Sequence, residues 1–292
     1  MSKNMSEKQS LIIPKKGSEI IFKDPRKNAS NRNLEKLSEK QHARYARHLV
    51  LPEIGEEGQT RLLASRILCI GAGGLGSPVI SYLAAAGVGT LGIADGDCVD
   101  CSNLQRQIIH GGKLGVSKVK SAEEFVRKLN PEVRVEPFAE KVNPKNILHL
   151  VKAYDLVVDC SDNFETRFLV NDACVLLKKP LCHGSIYRFE GQAMTILPEE
   201  GPCYRCLFTR PPKTEKKPGD EGVLGVLPGV IGAIQATEAL KCLLGIGKTL
   251  KGRLLYYDAL YMSFKEINVQ KSPECPVCGK NARITSIVPE NY

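Results

Sequence analysis

The sequence has no hydrophobic run long enough to cross a bilayer. Its longest apolar stretch, Val223–Ile234, is soon followed by Glu238 and Lys241, whereas a transmembrane helix needs about 20 apolar residues. The N terminus also lacks the apolar segment of a secretory signal peptide. We therefore expect a cytoplasmic protein with no membrane partner, and we interpret Val223–Ile234 as part of a buried helix.

The first 40 residues have almost no aromatic side chains, Phe22 being the single one. They hold ten Lys or Arg against five Asp or Glu, in a chain of net charge +9. Because no nucleic-acid-binding module is recognisable there, we predict a basic, mobile extension over residues 1–40 and no nucleic-acid partner. A docking arm for an acidic protein, or a short hairpin of Leu11–Ile13 and Glu19–Phe22, are the alternatives.

The eleven cysteines indicate a reducing compartment, because no signal peptide is recognisable. Four of them form two C-x-x-C pairs, Cys203 with Cys206 and Cys275 with Cys278. Each pair can supply two thiolates to a tetrahedral zinc ion. Redox cysteines and an iron–sulfur cluster are the alternatives. Since the protein would supply all four ligands, we expect a structural zinc with no position open to substrate.

Three glycines, Gly71, Gly73 and Gly76, form the pattern G-x-G-x-x-G between the apolar run Ile67–Ile70 and a predicted helix. Such glycines allow a tight turn and let the backbone approach a phosphate, and the helix then presents its positive end to that phosphate. A second predicted strand, Leu91–Asp95, ends in an acid 19 residues after Gly76, which suits a ribose hydroxyl. The pattern predicts nucleotide binding, with a nicotinamide dinucleotide as the default ligand.

The loop after Asp95 argues against hydride transfer, because the surroundings of a nicotinamide ring are usually apolar. This loop instead carries the amides of Asn103, Gln105 and Gln107 and the guanidinium of Arg106. A guanidinium can form two parallel hydrogen bonds to phosphate oxygens. The loop therefore favours a site that handles phosphate groups.

A third predicted strand, Asp155–Cys160, ends in Ser161, Asp162 and Asn163. An acid at the carboxyl end of a parallel strand, opposite a phosphate loop, is well placed for Mg²⁺, which binds one or two carboxylates plus phosphate oxygens. The alternative is a capping role for the predicted helix Phe164–Leu177.

Six motifs occur in order between about residue 40 and residue 280. They are RYARHLVLPEIGEEGQ at 44–59, the glycine loop, SNLQRQ at 102–107, Lys118, the Ser-Asp-Asn at 161–163, and the paired CYRC and CPVC. Together they resemble the E1-like adenylyltransferases of the MoeB/ThiF/HesA type, which activate ubiquitin-like proteins.

The resemblance implies ATP as the nucleotide, with Mg²⁺ held by Asp162. It assigns the phosphate contacts to Arg106 and Lys118, and to Arg47, which would reach the ATP of the partner subunit in a homodimer. Arg44 matches a motif arginine whose role is less clear. The residues expected to hold the nucleotide are Gly71, Gly73, Gly74, Gly76, Asp95, Asp97, Asn103, Gln107 and Asn163.

The resemblance also implies a reaction. The substrate would be the C-terminal Gly-Gly carboxylate of a small ubiquitin-like (β-grasp) sulfur carrier, which is adenylated with release of pyrophosphate on the way to a thiocarboxylate for molybdopterin, thiamine or a related route. The chain places Pro218 or Gly219 where relatives carry a cysteine, so we expect no covalent intermediate there. It ends at Tyr292 without a sulfurtransferase domain, so we expect a separate sulfur donor. A non-catalytic binding protein or an NAD-dependent oxidoreductase are the alternatives.

The predicted fold class is α/β, a Rossmann-like, doubly wound and mostly parallel sheet that continues into an antiparallel half. We expect one adenylation domain over 41–292, with a nucleotide-binding half at about 62–180 and an antiparallel, carrier-binding half at about 181–280. The further predicted elements are helices Leu34–Leu49, Gly115–Asn130, Pro144–Lys152 and Gly222–Leu244, strand Val133–Phe138, and antiparallel strands within Leu181–Leu197 and Arg253–Val269.

Overall fold

The computed structural model describes residues 36–210 and 222–292, which form one eight-stranded sheet with helices packed on it. The proposed N-terminal hairpin, most of the basic extension, and Pro218 with Gly219 lie outside these residues. The strands are β1 Arg66–Ile70, β2 Thr90–Ala94, β3 Arg134–Phe138, β4 Leu156–Asp159, β5 Leu181–Tyr187, β6 Glu190–Ile196, β7 Arg253–Asp258 and β8 Ser263–Asn268. Their order across the sheet is β3-β2-β1-β4-β5-β6-β7-β8.

Eight α-helices accompany this sheet in the described ranges. They are α1 Glu39–Leu49, α2 Gly55–Ala64, α3 Gly76–Ala85, α4 Lys118–Leu129, α5 Ile147–Lys152, α6 Phe164–Leu176, α7 Tyr204–Leu207 and α8 Leu227–Leu244. Short 3₁₀ turns lie at Cys101–Asn103, Ile108–His110 and Pro289–Asn291.

The central strands are buried on both faces, as their apolar composition predicts for a parallel sheet covered by helices. Strand β1 pairs in parallel with β2 on one side and with β4 on the other, so that Ile70 faces both Ala94 and Asp159. The direction of strand succession reverses between β1 and β4. Ligands of such sheets bind at this reversal, beyond the carboxyl ends of the strands.

The antiparallel strands predicted within Leu181–Leu197 and Arg253–Val269 are β5 with β6 and β7 with β8. Strand β5 also pairs in parallel with β4 through Leu181 and Val157, so it joins the parallel half of the sheet to the antiparallel half. The predicted fold class, a mostly parallel sheet that continues into an antiparallel half, is confirmed.

Four helices begin at residues other than those predicted from the sequence. Helix α1 begins at Glu39 rather than at Leu34, because Ser38 forms a capping box with Gln41. Helix α4 begins at Lys118, after Gly115 with its φ of +75°. The predicted starts at Pro144 and Gly222 move to Ile147 and Leu227.

Helix α8 is long and apolar enough to cross a membrane by length and composition, with a mean hydropathy of 1.2 over 18 residues. In the fold it packs against α3, β5 and β6. Its one buried acid, Glu238, accepts hydrogen bonds from Thr195 and from the amide of Leu250. These contacts are those of a core helix, as predicted for Val223–Ile234.

A pair of glycine substitutions tests the tight turn before α3. A Cβ at Gly76 would lie 2.2 Å from the carbonyl oxygen of Gly71, whereas one at Gly229 in α8 would meet nothing within 4 Å. Gly76→Ala should lower the free energy of unfolding by about 1–3 kcal/mol through overpacking. Gly229→Ala should leave it unchanged or raise it by up to about 1 kcal/mol. Urea denaturation measures both, and equal effects would contradict the turn geometry.

Candidate nucleotide site and metal centre

An open pocket of about 390 Å³ lies where β1, β2 and β4 end, within the range of about 300–1,000 Å³ usual for small-molecule sites. Ten of the predicted site residues line it: Gly71, Gly73, Gly74, Asp95, Asp97, Arg106, Gln107, Lys118, Asp162 and Asn163. Gly76, Asn103 and Arg47 do not belong to the lining. The topology thus brings together side chains from four separate stretches of the chain.

The glycine loop brings the backbone close to the floor of this pocket. Gly71 has a φ of +95°, and a Cβ there would lie 2.9 Å from the carbonyl oxygen of Cys160. Helix α3 follows, and Leu75 at its start provides no side-chain cap. The N–H groups of its first turn therefore give the pocket a positive end suited to an anion.

The carboxylate of Asp95 braces this loop. It accepts the amide N–H of Ala72 at 2.8 Å and that of Asp97 at 2.9 Å. Each oxygen keeps a second lone pair, so the predicted bond from a ribose hydroxyl remains compatible with the geometry.

Asp97 and Lys118 form an ion pair inside the pocket, with Nζ and Oδ2 3.1 Å apart. Lys141 lies 3.7 Å from the other carboxylate oxygen. Partial burial by itself would raise the pKa of Asp97, but the hydrogen bond and charge of Lys118, helped by Lys141, lower it instead. The carboxylate therefore holds the buried ammonium of Lys118 at the edge of the glycine loop.

Asn103 and Arg106 lie on the loop that follows. The side chain of Asn103 caps a 3₁₀ turn by accepting the N–H of Asp100 at 3.3 Å, outside the pocket. Arg106 donates one hydrogen bond to the carbonyl of Ser102 at 3.2 Å and lines the pocket. Its remaining donors can serve phosphate oxygens.

Gln107 supplies a test of whether a nucleotide fits. It is 4% exposed, and its Oε1 has no hydrogen-bond partner among the described residues. A buried acceptor of this kind is costly unless a donor completes it. A hydroxyl or amino group of a nucleotide in the pocket would supply that donor, and the uncapped start of α3 would receive its phosphates.

His110, whose sequence pattern suggested no role, holds the glycine loop from behind. Its Nε2 donates to the carbonyl of Ala72 at 2.7 Å, and its Nδ1 lies 2.9 Å from the hydroxyl of Ser121. Burial lowers the pKa of the imidazole, so the ring is neutral at pH 7. The two contacts do not by themselves require a neutral ring, because the hydroxyl of Ser121 can either donate to Nδ1 or accept from it.

Asp162 and Asn163 divide the two roles considered for this pair. The Oδ1 of Asn163 caps α6 by accepting the N–H of Thr166 at 2.8 Å. Asp162 is exposed in the pocket, and its carboxylate accepts one bond of 3.3 Å from Asn163. The donor set at this point, a carboxylate with spare lone pairs, is compatible with Mg²⁺.

Asp159 at the end of β4 is a residue that the sequence did not reveal. One oxygen of its fully buried carboxylate accepts the N–H and hydroxyl of Ser161, at 3.0 and 2.6 Å. The other lies 2.9 Å from Nδ1 of His183, which donates to it. Gln235 of α8 donates to its carbonyl at 2.7 Å. An acid within the apolar run LVVDCS was the available signal.

The four predicted zinc ligands form a cluster. The sulfur atoms of Cys203, Cys206, Cys275 and Cys278 all lie within 4.8 Å of one another. The pairs Cys203–Cys275 and Cys206–Cys278 are 3.6 and 3.4 Å apart, close to the roughly 3.8 Å expected around a tetrahedral ion with Zn–S bonds of about 2.3 Å. The cluster could hold a metal ion, and its ligand set fits zinc.

The two arginines of α1, Arg44 and Arg47, have different surroundings. Arg44 donates to the carbonyl of Leu129 at 3.1 Å, which joins α1 to the end of α4. Arg47 is exposed. Its predicted reach into a partner subunit stays a prediction, as does the homodimer.

One known protein family matches most of this chain. A family model described as the ThiF family matches residues 45–277. The chain belongs to the ThiF family. The predicted family is thereby confirmed.

Curated relatives in this family are similar over most of the chain. The SAMP-activating enzyme E1 of Haloferax volcanii is 54% identical over 81% of this chain and 88% of its own length. The sulfur carrier protein adenylyltransferase of Thermus thermophilus is 51% identical over 81% and 90%. The adenylyltransferase and sulfurtransferase MOCS3 of Bos taurus is 49% identical over 86% of this chain, but only 56% of its own length. These names confirm the predicted enzyme class, an adenylyltransferase.

Solved structures share the fold at lower identity. E. coli MccB with MccA-N7isoASN has a TM-score of 0.74 at 22% identity, covering 82% of this chain and 75% of that one. E. coli MccB with ATP has a TM-score of 0.71 at 24% identity, covering 80% and 74%. At these identities the likeness supports the α/β fold alone.

The metal centre generates one prediction. Purified protein should carry about one zinc ion per chain, and Cys275→Ser should reduce this to about a tenth, because the remaining three ligands bind less tightly. Elemental analysis measures the content. Cys101→Ser, an exposed cysteine outside the cluster, is the control and should retain the metal. Full zinc content in Cys275→Ser would contradict the site.

Asp159 generates a pH-dependent prediction. Burial tends to raise the pKa of this carboxyl, but its hydrogen bond to His183 and the surrounding charges lower it. A lowered pKa contributes stability above the unfolded value of about 3.9, and that stability is lost as the pH falls through the folded value. Asp159→Asn should therefore lower the free energy of unfolding at pH 7 by about 3 kcal/mol.

The difference between wild type and Asp159→Asn should shrink as the pH falls from 5 to 3, as measured by urea denaturation at each pH. Glu53→Gln, an exposed carboxylate without a described partner, should follow the wild type throughout. A difference that stays constant down to pH 3 would show that the asparagine costs stability for another reason.

Proposed function

We propose that this protein adenylates the C-terminal Gly-Gly carboxylate of a small ubiquitin-like sulfur carrier at the expense of ATP. The observation that carries the proposal is the pocket in which the glycine loop, Arg106, Lys118 and Asp162 meet. It is supported by relatives of about 50% identity whose names include a sulfur carrier protein adenylyltransferase.

The arrangement suits nucleotidyl transfer by positioning and charge neutralisation. ATP lies over the glycine loop, with its phosphates at the start of α3 and its ribose near Asp95. Arg106 and Lys118 then neutralise the phosphates, while Asp97 keeps the lysine in place. The carrier carboxylate attacks the α-phosphorus, the bond to the β-phosphate oxygen breaks, and pyrophosphate leaves.

Asp162 would hold Mg²⁺, which supplies further positive charge to the phosphate oxygens. The side-chain oxygen of Asn163 caps α6, and its amide nitrogen donates to Asp162 at 3.3 Å. No general base is required, since a carboxylate is already ionised at pH 7. This accounts for a pocket rich in cations rather than one built around a free imidazole.

The remaining partners follow from this assignment. The enzyme works in the cytoplasm as a homodimer in which Arg47 reaches the partner's nucleotide, with zinc as its structural metal. A separate sulfur donor converts the acyl adenylate to a thiocarboxylate, for molybdopterin, thiamine or a related route. No nucleic acid takes part.

ATP–pyrophosphate exchange tests the proposal. The purified protein is assayed with each small Gly-Gly-ending protein of the same organism, and with none. Exchange should require one such carrier, and Asp162→Ala should reduce it about 100-fold or more, because the phosphate charge is no longer neutralised. Glu290→Gln, an exposed carboxylate away from the pocket lining, should retain full exchange. Exchange that is independent of every carrier would refute the assigned substrate.

A further inference from the structure

Arg167 is a buried arginine in the wall of the same pocket. It lies in the first half of α6 and is 7% exposed. One guanidinium nitrogen donates to the carbonyl of Ser161 at 3.3 Å, and the group lies 5.2 Å above the ring of Phe164. Its Nε has no hydrogen-bond partner among the residues that the structure describes. Within residues 36–210 and 222–292, no carboxylate approaches it to ion-pair distance.

The other buried arginine of comparable exposure shows what a fully paired guanidinium looks like in this protein. Arg205 is 3% exposed, and both of its carboxylate-facing nitrogens contact Asp172, at 2.8 and 2.9 Å. Buried arginines are costly without such a partner. Arg167 therefore retains unused capacity to bind an anion.

The nearest polar neighbours of Arg167 do not supply this anion. Its charge helps to lower the pKa of Asp159, but that carboxylate already binds Ser161 and His183. Tyr204 also contacts the guanidinium, and a phenol is neutral at pH 7. Neither group forms with the guanidinium the pair of hydrogen bonds that a free carboxylate would form.

The position of Arg167 in the pocket indicates which anion it serves. The phosphate-binding end already has the cations Lys118, Lys141 and Arg106 in its lining. Arg167 comes instead from α6, and Ile186 of β5 lines the same pocket. This side of the pocket leads from the nucleotide-binding strands toward the antiparallel half of the sheet.

We propose that Arg167 receives the carboxylate of the polypeptide that is adenylated. This assignment rests on the function proposed above. The planar fork of a guanidinium matches a carboxylate with two parallel hydrogen bonds. Held in this way, the carboxylate is fixed in direction and its free lone pair can face the α-phosphorus. Arg167 is thus a substrate-binding residue that selects a C-terminal carboxylate over a neutral chain end.

The test compares two forms of one carrier. The Gly-Gly-ending protein that supports exchange with the wild type is prepared with its natural carboxylate and with a C-terminal carboxamide. Calorimetry measures the binding of both forms to the full-length enzyme and to its Arg167→Gln and Arg167→Lys variants. Arg127→Gln, an exposed arginine of α4, is the control. Zinc content and thermal unfolding verify that each variant is folded.

The wild type and Arg127→Gln should bind the carboxylate form about tenfold or more tighter than the carboxamide, the usual effect of a charge-assisted hydrogen bond. In Arg167→Gln the two forms should bind with equal affinity, and ATP affinity should change less than about twofold. Arg167→Lys keeps the charge without the fork, and its preference should be intermediate. If Arg167→Gln does not fold, the preference of Arg167→Lys decides the question.

An undiminished preference for the carboxylate in folded Arg167→Gln or Arg167→Lys would overturn the assignment. So would a loss of ATP affinity with the preference intact, because the guanidinium would then serve a phosphate. If no carrier supports exchange with the wild type, the proposed function fails first, and with it the substrate that Arg167 is said to bind.

Discussion

The pocket depends on one buried carboxylate, that of Asp159. It fixes the start of the loop that carries Asp162, because one oxygen accepts two hydrogen bonds from Ser161 and the other accepts one from His183. Gln235 ties the same residue to the core helix α8. A charge at 0% exposure is tolerated only when hydrogen-bond partners such as these stabilise it. Strand β4, the neighbouring strand β5 and helix α8 are thereby locked together at the point where a ligand must be held.

The acidic and basic side chains around the pocket come from several different elements of the fold. Acidic groups lie at strand ends, where Asp95 and Asp97 organise the backbone and position Lys118. Basic groups come from the loop after β2, the start of α4, the segment after β3 and α6, so that they face the pocket from different elements. Because Asp95 and Asp97 already have hydrogen-bond partners, the guanidinium groups of Arg106 and Arg167 keep donors for anionic substrates.

Local signals made much of this predictable. Gly71 must adopt a positive φ, which few other residues accept, and the two C-x-x-C pairs need only their spacing. The parallel pairing of β5 with β4 and the roles of Asp159 and Arg167 were not predictable in this way. Their partners lie on other strands and helices, and a buried acid or arginine in sequence looks the same whether it is paired or available. Asn103 shows the reverse case, a motif residue whose side chain caps a turn.

Arg205 lies in the sequence between Cys203 and Cys206 of the cysteine cluster, and its guanidinium is held by Asp172 of α6. The same 13-residue helix begins at the pocket, beside Asn163. At about 1.5 Å per residue the helix spans roughly 20 Å, and Asp172 lies in its second half. Helix α6 therefore connects the cysteine cluster to the pocket: it holds Arg205 through Asp172, and it begins directly after Asn163 in the pocket lining.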